Sequence, residues 1–382
     1  MNILFTVYTY YPMKDGVQAV TGYLAEGLVK KGHKVTVITP CFGEEEKEVH
    51  NGVFIERVNI WTKHACYFGD KKKYVKLIKE KTKEMDVMIN VCTQNPMTDL
   101  LFPIIDEIAC KKILYMHGMY ERKWNWTMIN TISDIGHKIW NNIRWGIYYK
   151  KGYKYFKSYD KIIQLHRFDQ GYLYFQNAYN IKSTAIENAA ENVFFSNIVK
   201  TEKAPQKHYA ICVANYMERK NQEFVLKAFY LANLDSEFEL IFIGSEKNEY
   251  YEKLSKLNEI YKNKYGEKRV KLLANIDRET TVRYVKNADV YLMGSKWEAF
   301  PISIVESMAA GIPFISTNVG CVRFLPGGIV IDNENEMAYW LELLQKNENC
   351  KCEMGQTGRI YAEKNLSVNS KVEQLEHILE EC

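Results

Sequence analysis

The stretch SKWEAFPISIVESMAAGIPFISTNVG, at residues 295–320, decides the fold of the second half of the chain. The apolar run Ala288 to Met293 before it predicts a buried strand. Pro301 suits the first position of a helix, because its missing N–H would have no partner there in any case. Gly311 suits the left-handed residue that ends this helix, and Phe314 starts a second strand. In such a βαβ unit the helix begins at the carboxyl end of a strand, where free N–H groups favour an anion such as a diphosphate.

Two glutamates in this stretch, Glu298 and Glu306, flank the start of the helix. The extended residues and helical turns between them set their separation at roughly 12 to 17 Å. The acid and base groups of glycosidases are ~5 to 9.5 Å apart, so such a pair is not indicated. The spacing suits two carboxylates that bind hydroxyl groups at two ends of one elongated ligand. The alternative is that both are solvated glutamates beside a helix.

The composition is that of a soluble globular protein with room for two domains: 382 residues, 47% hydrophobic and 26% charged. A net charge of +4 gives no indication of nucleic-acid binding. Nine cysteines without a C-x-x-C pair indicate reduced thiols inside a cell and no metal site. The first residues lack the pattern of a secretory signal, and no apolar run reaches the ~18 residues of a membrane span. We therefore expect a cytoplasmic protein.

Strand-like and helix-like segments alternate through both halves, which predicts two α/β domains of Rossmann type with parallel sheets. The polar segment Asn197 to Gln206 predicts the linker between them. No G-x-G-x-x-G motif occurs, so a classical dinucleotide oxidoreductase is not favoured. The predicted strands are residues 3–7, 34–39, 53–58, 87–91, 112–116, 161–164, 183–187, 209–214, 239–243, 270–273, 288–293, 314–316 and 329–331.

The segment from Lys138 to Tyr159 contains six basic residues, eight aromatic residues and no acid. Such a segment suits the surface of an anionic bilayer, with the aromatic rings at head-group level. The alternative is an ordinary amphipathic helix with its aromatic rings in the domain core and its lysines in water. RNA binding by aromatic stacking is a third interpretation, but no recognisable RNA-binding module accompanies it.

Several segments, in their order along the chain, together resemble the GT-B glycosyltransferases, in particular glycosyltransferase family 4, whose members are retaining and use nucleotide sugars. The resemblance extends through nearly the whole chain, and Glu298 to Glu306 matches the E-x7-E signature of that family. The segments are Tyr11-Pro12, Asp15-Gly16-Val17, Lys31 to Val37, His117-Gly118, Ile186 to Glu191, Val213-Ala214-Asn215, Lys220-Asn221, Ala288-Asp289-Val290 and Glu298 to Gly320.

The resemblance implies an α/β protein of GT-B fold, in which two Rossmann-like domains have parallel sheets that face a central cleft. Residues 1–196 are then expected to form the acceptor-binding domain, and residues 207–365 the nucleotide-sugar-binding domain. Residues 366–382 are expected to form a C-terminal helix that packs on the N-terminal domain.

The family also implies roles for residues of the second domain. Glu298 resembles the carboxylate that holds ring hydroxyls of the donor sugar, and Glu306 resembles the residue that accepts hydrogen bonds from the ribose. Lys220 resembles the lysine that binds the diphosphate and stabilises the charge that develops on the leaving group. The resemblance also implies that backbone N–H groups assist Glu298 in binding the sugar, and that these belong to Ala299, Phe300 and Ile302. It implies that the turn around Leu273 and Ala274 contacts the base.

In the first domain, Gly16 and Val17 resemble the segment whose backbone N–H groups approach the donor phosphates. His117 follows a predicted strand, where the family places an imidazole near the donor sugar and the acceptor. The alternative for His117 is a histidine whose ring is satisfied by backbone at a strand end. Together with Glu298 and Lys220, it completes the expected catalytic set.

The sequence departs from the family pattern at several positions. Asn215 stands in the donor-binding segment where the family commonly has arginine, so one expected cation for the diphosphate is missing. Arg219 or Lys296 is a candidate to replace it. Ala189 and Ala299 replace common glycines, which bears on the identity of the sugar more than on the fold.

The resemblance implies transfer with retention, in which the acceptor hydroxyl attacks from the face that the diphosphate leaves. A leaving-group oxygen then takes the acceptor proton, so neither a carboxylate pair nor a metal ion is required. The expected partners are a nucleotide-sugar donor and a glycan or lipid-linked acceptor, and the expected process is bacterial surface polysaccharide synthesis. The alternatives are another GT-B enzyme, such as a nucleotide-sugar epimerase or a glycan phosphorylase, and a catalytically silent sugar-binding subunit.

Overall fold

The computed structural model describes residues 1–120, 122, 124, 131–196 and 208–382. The predicted linker, Asn197 to Gln206, lies outside these residues. The chain divides into two compact units, of which the first comprises Met1–Glu187 with Val368–Cys382 and the second Asn188–Ser367. The chain therefore passes from the first unit to the second after Glu187, before the predicted domain boundary at residue 196.

The strands alternate with helices along both units, and their bounds are as follows. The strands are β1 (Asn2–Thr6), β2 (Lys34–Pro40), β3 (Lys47–His50), β4 (Val53–Val58), β5 (Ile60–Lys63), β6 (Cys66–Gly69), β7 (Val87–Val91), β8 (Lys111–Tyr115), β9 (Lys161–Gln164), β10 (Thr184–Ala185), β11 (Tyr209–Val213), β12 (Glu239–Gly244), β13 (Arg269–Ala274), β14 (Val290–Met293), β15 (Phe314–Thr317) and β16 (Gly328–Ile331). The helices are α1 (Gly16–Lys30), α2 (Lys71–Lys81), α3 (Pro96–Asp99), α4 (Ile132–Phe156), α5 (Gln170–Tyr179), α6 (Asn192–Phe195), α7 (Gln222–Leu231), α8 (Glu249–Tyr265), α9 (Arg278–Lys286), α10 (Ile302–Ala309), α11 (Glu334–Lys346), α12 (Glu348–Asn365) and α13 (Val368–Glu380).

The first unit is built on an eight-stranded sheet of order β10-β9-β8-β7-β1-β2-β4-β3. Its strands are parallel except for the edge strand β3, which runs antiparallel to β4. A separate antiparallel hairpin, β5-β6, accompanies this sheet. The sequence analysis did not predict β3, β5 or β6, and these are the strands that depart from the predicted parallel arrangement.

The helix α13 belongs to the first unit, where it packs against α1. A Cβ added to Gly27 of α1 would lie 2.3 Å from a methyl carbon of Val372, so the two helices meet at a residue without a side chain. Glu376 of α13 binds Lys31 at 2.6 Å and His33 at 2.9 Å. The end of the chain thus covers an apolar face of the first unit.

The second unit contains a six-stranded, all-parallel sheet of order β13-β12-β11-β14-β15-β16. The order reverses between β11 and β14, and in the first unit it reverses between β1 and β7. Open α/β sheets bind ligands at the carboxyl ends of the strands beside such reversals. The topology therefore points to the loops after β11 and β14 in the second unit, and after β1 and β7 in the first.

The helix of the E-x7-E stretch differs slightly from its prediction. Pro301 precedes α10 as its N-cap, with φ −73° and ψ 114°, whereas it was predicted as the first helical residue. The extended ψ of Pro301 keeps it outside the helix. Gly311 has a φ of +75°, as predicted for the residue that ends α10. No helix in the described part of the chain combines the length and apolarity needed to cross a bilayer.

Candidate active site

The loops after β11 and β14 are joined by backbone contacts in the second unit. The N–H of Lys296 donates to the carbonyl of Arg219 at 2.8 Å. A Cβ on Gly294 would lie 2.8 Å from the carbonyl oxygen of Asn221, so glycine is required where the two loops pass. This close approach brings the segment of Lys220 beside the segment of Glu298.

The carboxylate of Glu298 is the centre of this arrangement. Its side chain is 9% exposed, and its Oε1 accepts hydrogen bonds from Lys220 Nζ at 2.6 Å and from Ser295 Oγ at 2.9 Å. Arg219 Nη1 lies 3.9 Å from the other oxygen, Oε2. Two cations beside a buried carboxylate offset part of the cost of its desolvation. The sequence analysis selected Glu298 and Lys220 but did not predict that they form a direct ion pair.

The residues that follow Glu298 are held by a glycine at positive φ. Gly320 has a φ of +52°, and a Cβ there would lie 2.3 Å from the carbonyl oxygen of Ala299. Phe300 is buried, and its carbonyl accepts a hydrogen bond from the amide of Asn188 at 2.8 Å. Ile302 is the first residue of α10, and Pro301 before it offers no side-chain acceptor for the N–H groups of the first turn.

Glu306 lies on α10, and its side chain is 7% exposed. Arg278, the first residue of α9, donates from its Nη2 both to Glu306 and, at 2.5 Å, to Glu191. The guanidinium also lies 5.1 Å from the ring centre of Phe194. Burial raises the pKa of Glu306 above its ordinary value, although Arg278 opposes that rise.

Sequence reasoning missed Arg278. It is a single arginine in a polar stretch, and the residues that it joins, Glu191 and Glu306, are far from it along the chain. Only the packing of α6, α9 and α10 brings the three side chains together. The one available signal was that Glu191 belongs to a segment that resembles the family.

The predicted base-binding turn lies at the end of β13. Tyr216 donates from its hydroxyl to the carbonyl of Leu273 at 2.9 Å, and Ala274 is the last residue of the strand. Gly244 makes room for this tyrosine, since a Cβ there would lie 2.3 Å from the ring. Asn215 is exposed, and its carbonyl accepts a hydrogen bond from the amide of Gln222 at 3.0 Å.

In the first unit, Gly16 opens α1 at the carboxyl end of β1, and Val17 follows it in the first turn. The carboxylate of Asp15 is the N-cap and accepts from the N–H of Gln18 at 2.8 Å. This bond uses one of the N–H groups that the helix start would otherwise offer to an anion. Gly16 itself is exposed.

His117 follows β8, and its ring stacks on Tyr115 with 4.8 Å between ring centres. Its Nε2 is buried and has no hydrogen-bond partner among the described residues. Burial lowers the pKa of His117 to about 4, so the ring is neutral near pH 7. No backbone group of the described residues therefore bonds to this nitrogen. This finding argues against the alternative in which backbone groups satisfy the ring of His117.

A second buried polar atom without a partner lies on the loop after β7. Gln94 has a φ of +64°, and its Nε2 makes no hydrogen bond to any described residue. Its backbone N–H is held by Asp99 at 3.1 Å and by the hydroxyl of Tyr148 at 3.1 Å. Burial raises the pKa of Asp99 to about 6. The sequence analysis did not select Gln94, because nothing in the sequence reveals its left-handed backbone.

Two family models match the sequence, one in each unit. Residues 14–171 match the model described as Glycosyltransferase Family 4. Residues 194–338 match the model described as Glycosyl transferases group 1. The chain belongs to the family 4 glycosyltransferases. The resemblance on which the sequence analysis relied is thereby confirmed.

A curated relative of this family 4 glycosyltransferase is described as an uncharacterized 41.2 kDa protein in the cps region of Klebsiella pneumoniae. The two sequences are 27% identical over 141 residues, which are 37% of this chain and 36% of the relative. The chain thus matches well under two thirds of that protein's length.

Solved structures show the fold of the family 4 glycosyltransferase. Sucrose-phosphate synthase from Thermosynechococcus elongatus has a TM-score of 0.75 at 14% identity, over 100% of this chain and 98% of that one. Alr3699/HepE of Anabaena, solved in complex with UDP-glucose, has a TM-score of 0.72 at 13% identity, over 100% of both chains. WaaG, a glycosyltransferase involved in lipopolysaccharide biosynthesis, has a TM-score of 0.71 at 16% identity, over 99% of both. The predicted GT-B class with two Rossmann-like domains is confirmed.

Proposed function

We propose that this chain transfers a sugar, with retention of configuration, from a nucleotide-sugar donor to a glycan or lipid-linked acceptor. The observation that carries the proposal is the ion pair of Glu298 and Lys220 where the loops after β11 and β14 meet. A carboxylate that accepts from sugar hydroxyls and a cation for a diphosphate are thus supplied from adjacent loops. The cps region of the Klebsiella relative supports a role in bacterial surface polysaccharide synthesis.

The donor would bind to Lys220 and Glu298, which form an ion pair in the protein without ligand. When a diphosphate arrives, the flexible ammonium of Lys220 turns to it, with the amino end of α10 as a second source of positive potential. The oxygens of Glu298 then accept hydrogen bonds from ring hydroxyls. Arg219, rather than Lys296, lies beside Glu298 and takes the place of the cation missing at Asn215.

The reaction step follows from these groups. The bond between the anomeric carbon and the diphosphate oxygen breaks, and Lys220 stabilises the charge on the departing diphosphate. The acceptor hydroxyl bonds to the anomeric carbon from the same face, and its proton passes to an oxygen of the leaving diphosphate. We propose that no metal ion is needed, because a lysine and a helix amino end supply the positive charge.

The remaining predicted residues receive roles on the same basis. Glu306 would accept hydrogen bonds from the ribose, and the backbone around Leu273 and Ala274 would contact the base. The N–H groups of Gly16 and Val17 would approach the donor phosphates. His117, which is neutral, would exchange hydrogen bonds with a sugar hydroxyl rather than carry charge.

We also propose that the protein works in the cytoplasm as a peripheral protein on the inner face of the membrane. The segment Lys138 to Tyr159, which forms most of α4, supplies the basic residues for an anionic surface. A lipid-linked acceptor would be presented at that surface.

A panel of sugar nucleotides tests the proposal by the release of nucleoside diphosphate, with and without a chelator. Glu298→Ala and Lys220→Ala are expected nearly to abolish release. The matched control is Lys227→Ala with Glu334→Ala, which removes an ion pair of 3.0 Å between α7 and α11 in the same unit. Turnover that both site variants retain would refute the assignment.

The same assay separates the alternatives by their products. A nucleotide-sugar epimerase changes the configuration of a sugar that stays attached to the nucleotide in the product, and it needs no acceptor. A phosphorylase requires inorganic phosphate and a glycan, and a silent subunit gives no turnover with any donor. Transfer of label from the donor to an acceptor supports the proposed activity alone.

A further inference from the structure

Gln94 lies on the loop after β7, in a backbone conformation that glutamine rarely adopts. Its φ is +64°, and Cys92 on the same loop has a φ of +62°. A residue other than glycine is strained in this left-handed region, and such strain persists only where neighbouring contacts fix the backbone. The neighbours of Gln94 therefore have to hold it in place.

The carboxylate of Asp99 supplies that support. Its Oδ1 accepts from the backbone N–H of Gln94 at 3.1 Å and from the hydroxyl of Tyr148 at 2.6 Å. Its Oδ2 accepts from the hydroxyl of Tyr67 at 2.6 Å. Tyr67 belongs to the hairpin β5-β6, which is separate from the eight-stranded sheet. Asp99 thus joins the hairpin and α4 to the loop of Gln94.

The hairpin β5-β6 is itself tied to the rest of the first unit. Arg144 of α4 donates from its Nη2 to the carbonyl of Ala65 at 2.8 Å. The N–H of Thr62 donates to the hydroxyl of Tyr8 at 3.1 Å, and Tyr8 lies on the loop after β1. The hairpin therefore lies at the carboxyl end of the parallel strands, where Tyr67 contacts Asp99.

The side-chain amide of Gln94 takes no part in this support. Its Nε2 is buried and donates to no described residue. On the adjacent loop after β8, the Nε2 of His117 is also buried and lacks a partner among the described residues. The N–H of Cys92 joins the two loops by donating to the carbonyl of Tyr115 at 2.7 Å. Buried polar atoms without partners are costly, and a ligand that bonds to them removes that cost.

The charges near Gln94 indicate the chemical class of that ligand. The amide N–H needs a hydrogen-bond acceptor. Burial raises the pKa of Asp99 to about 6, and Arg144 opposes that rise, so the carboxylate is charged near pH 7. Its negative charge disfavours a phosphate or a carboxylate at the amide of Gln94. The indicated partner is therefore an uncharged oxygen, such as that of a sugar hydroxyl.

We infer that Nε2 of Gln94 donates a hydrogen bond to an uncharged hydroxyl of the acceptor, and that Asp99 and Tyr67 are positioning residues for it. The inference rests on the proposed transfer, in which Glu298 and Lys220 bind the donor. It makes Gln94 a residue that selects among acceptors by one of their hydroxyl groups. The strained backbone and the hairpin then serve one purpose, which is to fix the direction of a single amide.

Octyl glycosides serve as acceptor probes with the full chain and a labelled donor: the glucoside, galactoside, mannoside and N-acetylglucosaminide. The monodeoxy derivatives of the best acceptor are then compared. One derivative is expected to lower kcat/KM about tenfold in the unaltered protein, because it lacks the hydroxyl that Gln94 binds. In Gln94→Gly this derivative and its parent are expected to have the same kcat/KM, while the other derivatives keep their differences.

Two outcomes of this comparison would overturn the inference. If Gln94→Gly still discriminates against the loss of every hydroxyl that the unaltered protein recognises, its amide binds none of them. If label passes to none of the four glycosides although nucleoside diphosphate is released, the partner is not an uncharged sugar ring.

Glycine is chosen at position 94 because it removes the amide and also adopts a φ of +64° without strain. The unfolding temperature is therefore expected not to fall, whereas kcat/KM for the parent acceptor falls about tenfold. The matched control is Asn180→Gly, at an exposed residue of the same unit with a φ of +54°, and it is expected to change kcat/KM about twofold or less. A lower unfolding temperature with an unchanged kcat/KM would show that the amide is structural. If both fall, the deoxy derivatives decide, since a general loss affects all of them alike.

Tyr67→Phe tests the positioning role of the hairpin. It removes one hydrogen bond from Asp99 and is expected to lower kcat/KM for the acceptor about threefold, with the donor KM unchanged. In the Gln94→Gly background it is expected to add no further loss, because the amide that it positions is gone. The control is Tyr339→Phe, at a tyrosine of the second unit that is 60% exposed. The same loss in both backgrounds would overturn the positioning role.

The donor gives the last comparison. A donor KM that rises in Gln94→Gly, with acceptor recognition unchanged, would place the amide at the donor and overturn the inference. If the unaltered protein releases no nucleoside diphosphate from any sugar nucleotide, the proposed transfer itself fails, so the two failures are told apart.

Discussion

The loops at the carboxyl ends of the parallel strands differ in their electrostatics between the two units. In the second unit each selected carboxylate has a cation beside it, Lys220 for Glu298 and Arg278 for Glu306. In the first unit two neutral buried atoms, Nε2 of His117 and Nε2 of Gln94, have no hydrogen-bond partner among the described residues. Paired charges prepare a surface for a charged ligand, whereas neutral donors and acceptors suit hydroxyl groups. The difference favours the proposed diphosphate beside Lys220 in the second unit and a sugar hydroxyl beside His117 in the first.

Lys220→Gln tests the charged side of this comparison and is expected to have the largest effect. It replaces the ammonium by a neutral amide of similar reach, so the departing diphosphate loses its nearest positive charge. We expect kcat to fall by about 100- to 1000-fold. Release of nucleoside diphosphate at saturating donor measures it, and a loss below about tenfold would contradict the proposed role.

Arg278→Gln tests how the second unit keeps Glu306 ionised. Without the guanidinium the pKa of the buried Glu306 rises further, so the protonated acid persists to higher pH. We expect the KM of the donor to rise about tenfold near pH 7. The loss should grow as the pH falls, because protonated Glu306 accepts hydrogen bonds poorly.

Glu191→Gln is the control for Arg278. It removes the other carboxylate that Arg278 binds, but Glu191 is 54% exposed and an exposed pair contributes little. We expect a change in donor KM of about twofold or less. A pH profile of Arg278→Gln that matches the unaltered protein would show that Glu306 does not depend on this arginine.

His117 provides the neutral counterpart to Lys220. His117→Gln keeps a neutral hydrogen-bonding group and is expected to lower kcat/KM for the acceptor only about two- to threefold. His117→Ala removes that group and is expected to lower it about tenfold. Steady-state kinetics with varied acceptor measures both, and equal losses would indicate that the ring moves a proton.

The lowered pKa of His117 also predicts an effect on acid stability. The unfolded ring titrates at about 6.5, and the folded ring at about 4. The folded state therefore binds fewer protons in that range, and stability falls as pH drops from about 6.5 to about 4. Denaturant midpoints at pH about 7.5 and about 4.5 should differ less in His117→Gln than in the unaltered protein.

The buried parallel strands were predictable because each contains a short run of mostly apolar residues. The predicted bounds of β4, β7 and β9 agree with the structure residue for residue. Strands in the middle of a parallel sheet are covered on both faces, so their sequences carry a strong signal. This is why the alternation of elements, and with it the fold class, followed from the sequence.

The hairpins were missed for two different reasons. Asn51 and Gly52 join β3 to β4 with φ of +50° and +83°, and Asn-Gly is a known hairpin signal. It was overlooked because β3 is polar and lies at the sheet edge. The turn between β5 and β6 uses His64 and Ala65 at φ of +48° and +58°, residue types that give no such signal.

The helix α4 shows why a composition-based interpretation of a long segment stays incomplete. The sequence left open whether the aromatic residues face a bilayer or the core. Tyr149, Phe156 and Tyr159 lie in the core. The exposed apolar residues, such as Ile139, come mainly from the first half of the helix. Membrane contact through this segment stays a prediction.

The return of α13 to the first unit has a consequence for synthesis. Every residue of the second unit leaves the ribosome before Val368 does, so that unit can fold while the first still lacks a helix. Until α13 arrives, the surface of α1 around Gly27 lacks its contact with Val372. Deletion from Val368 onward should therefore make the first unit prone to aggregation while the second stays folded. An element that is translated after the second unit completes the first.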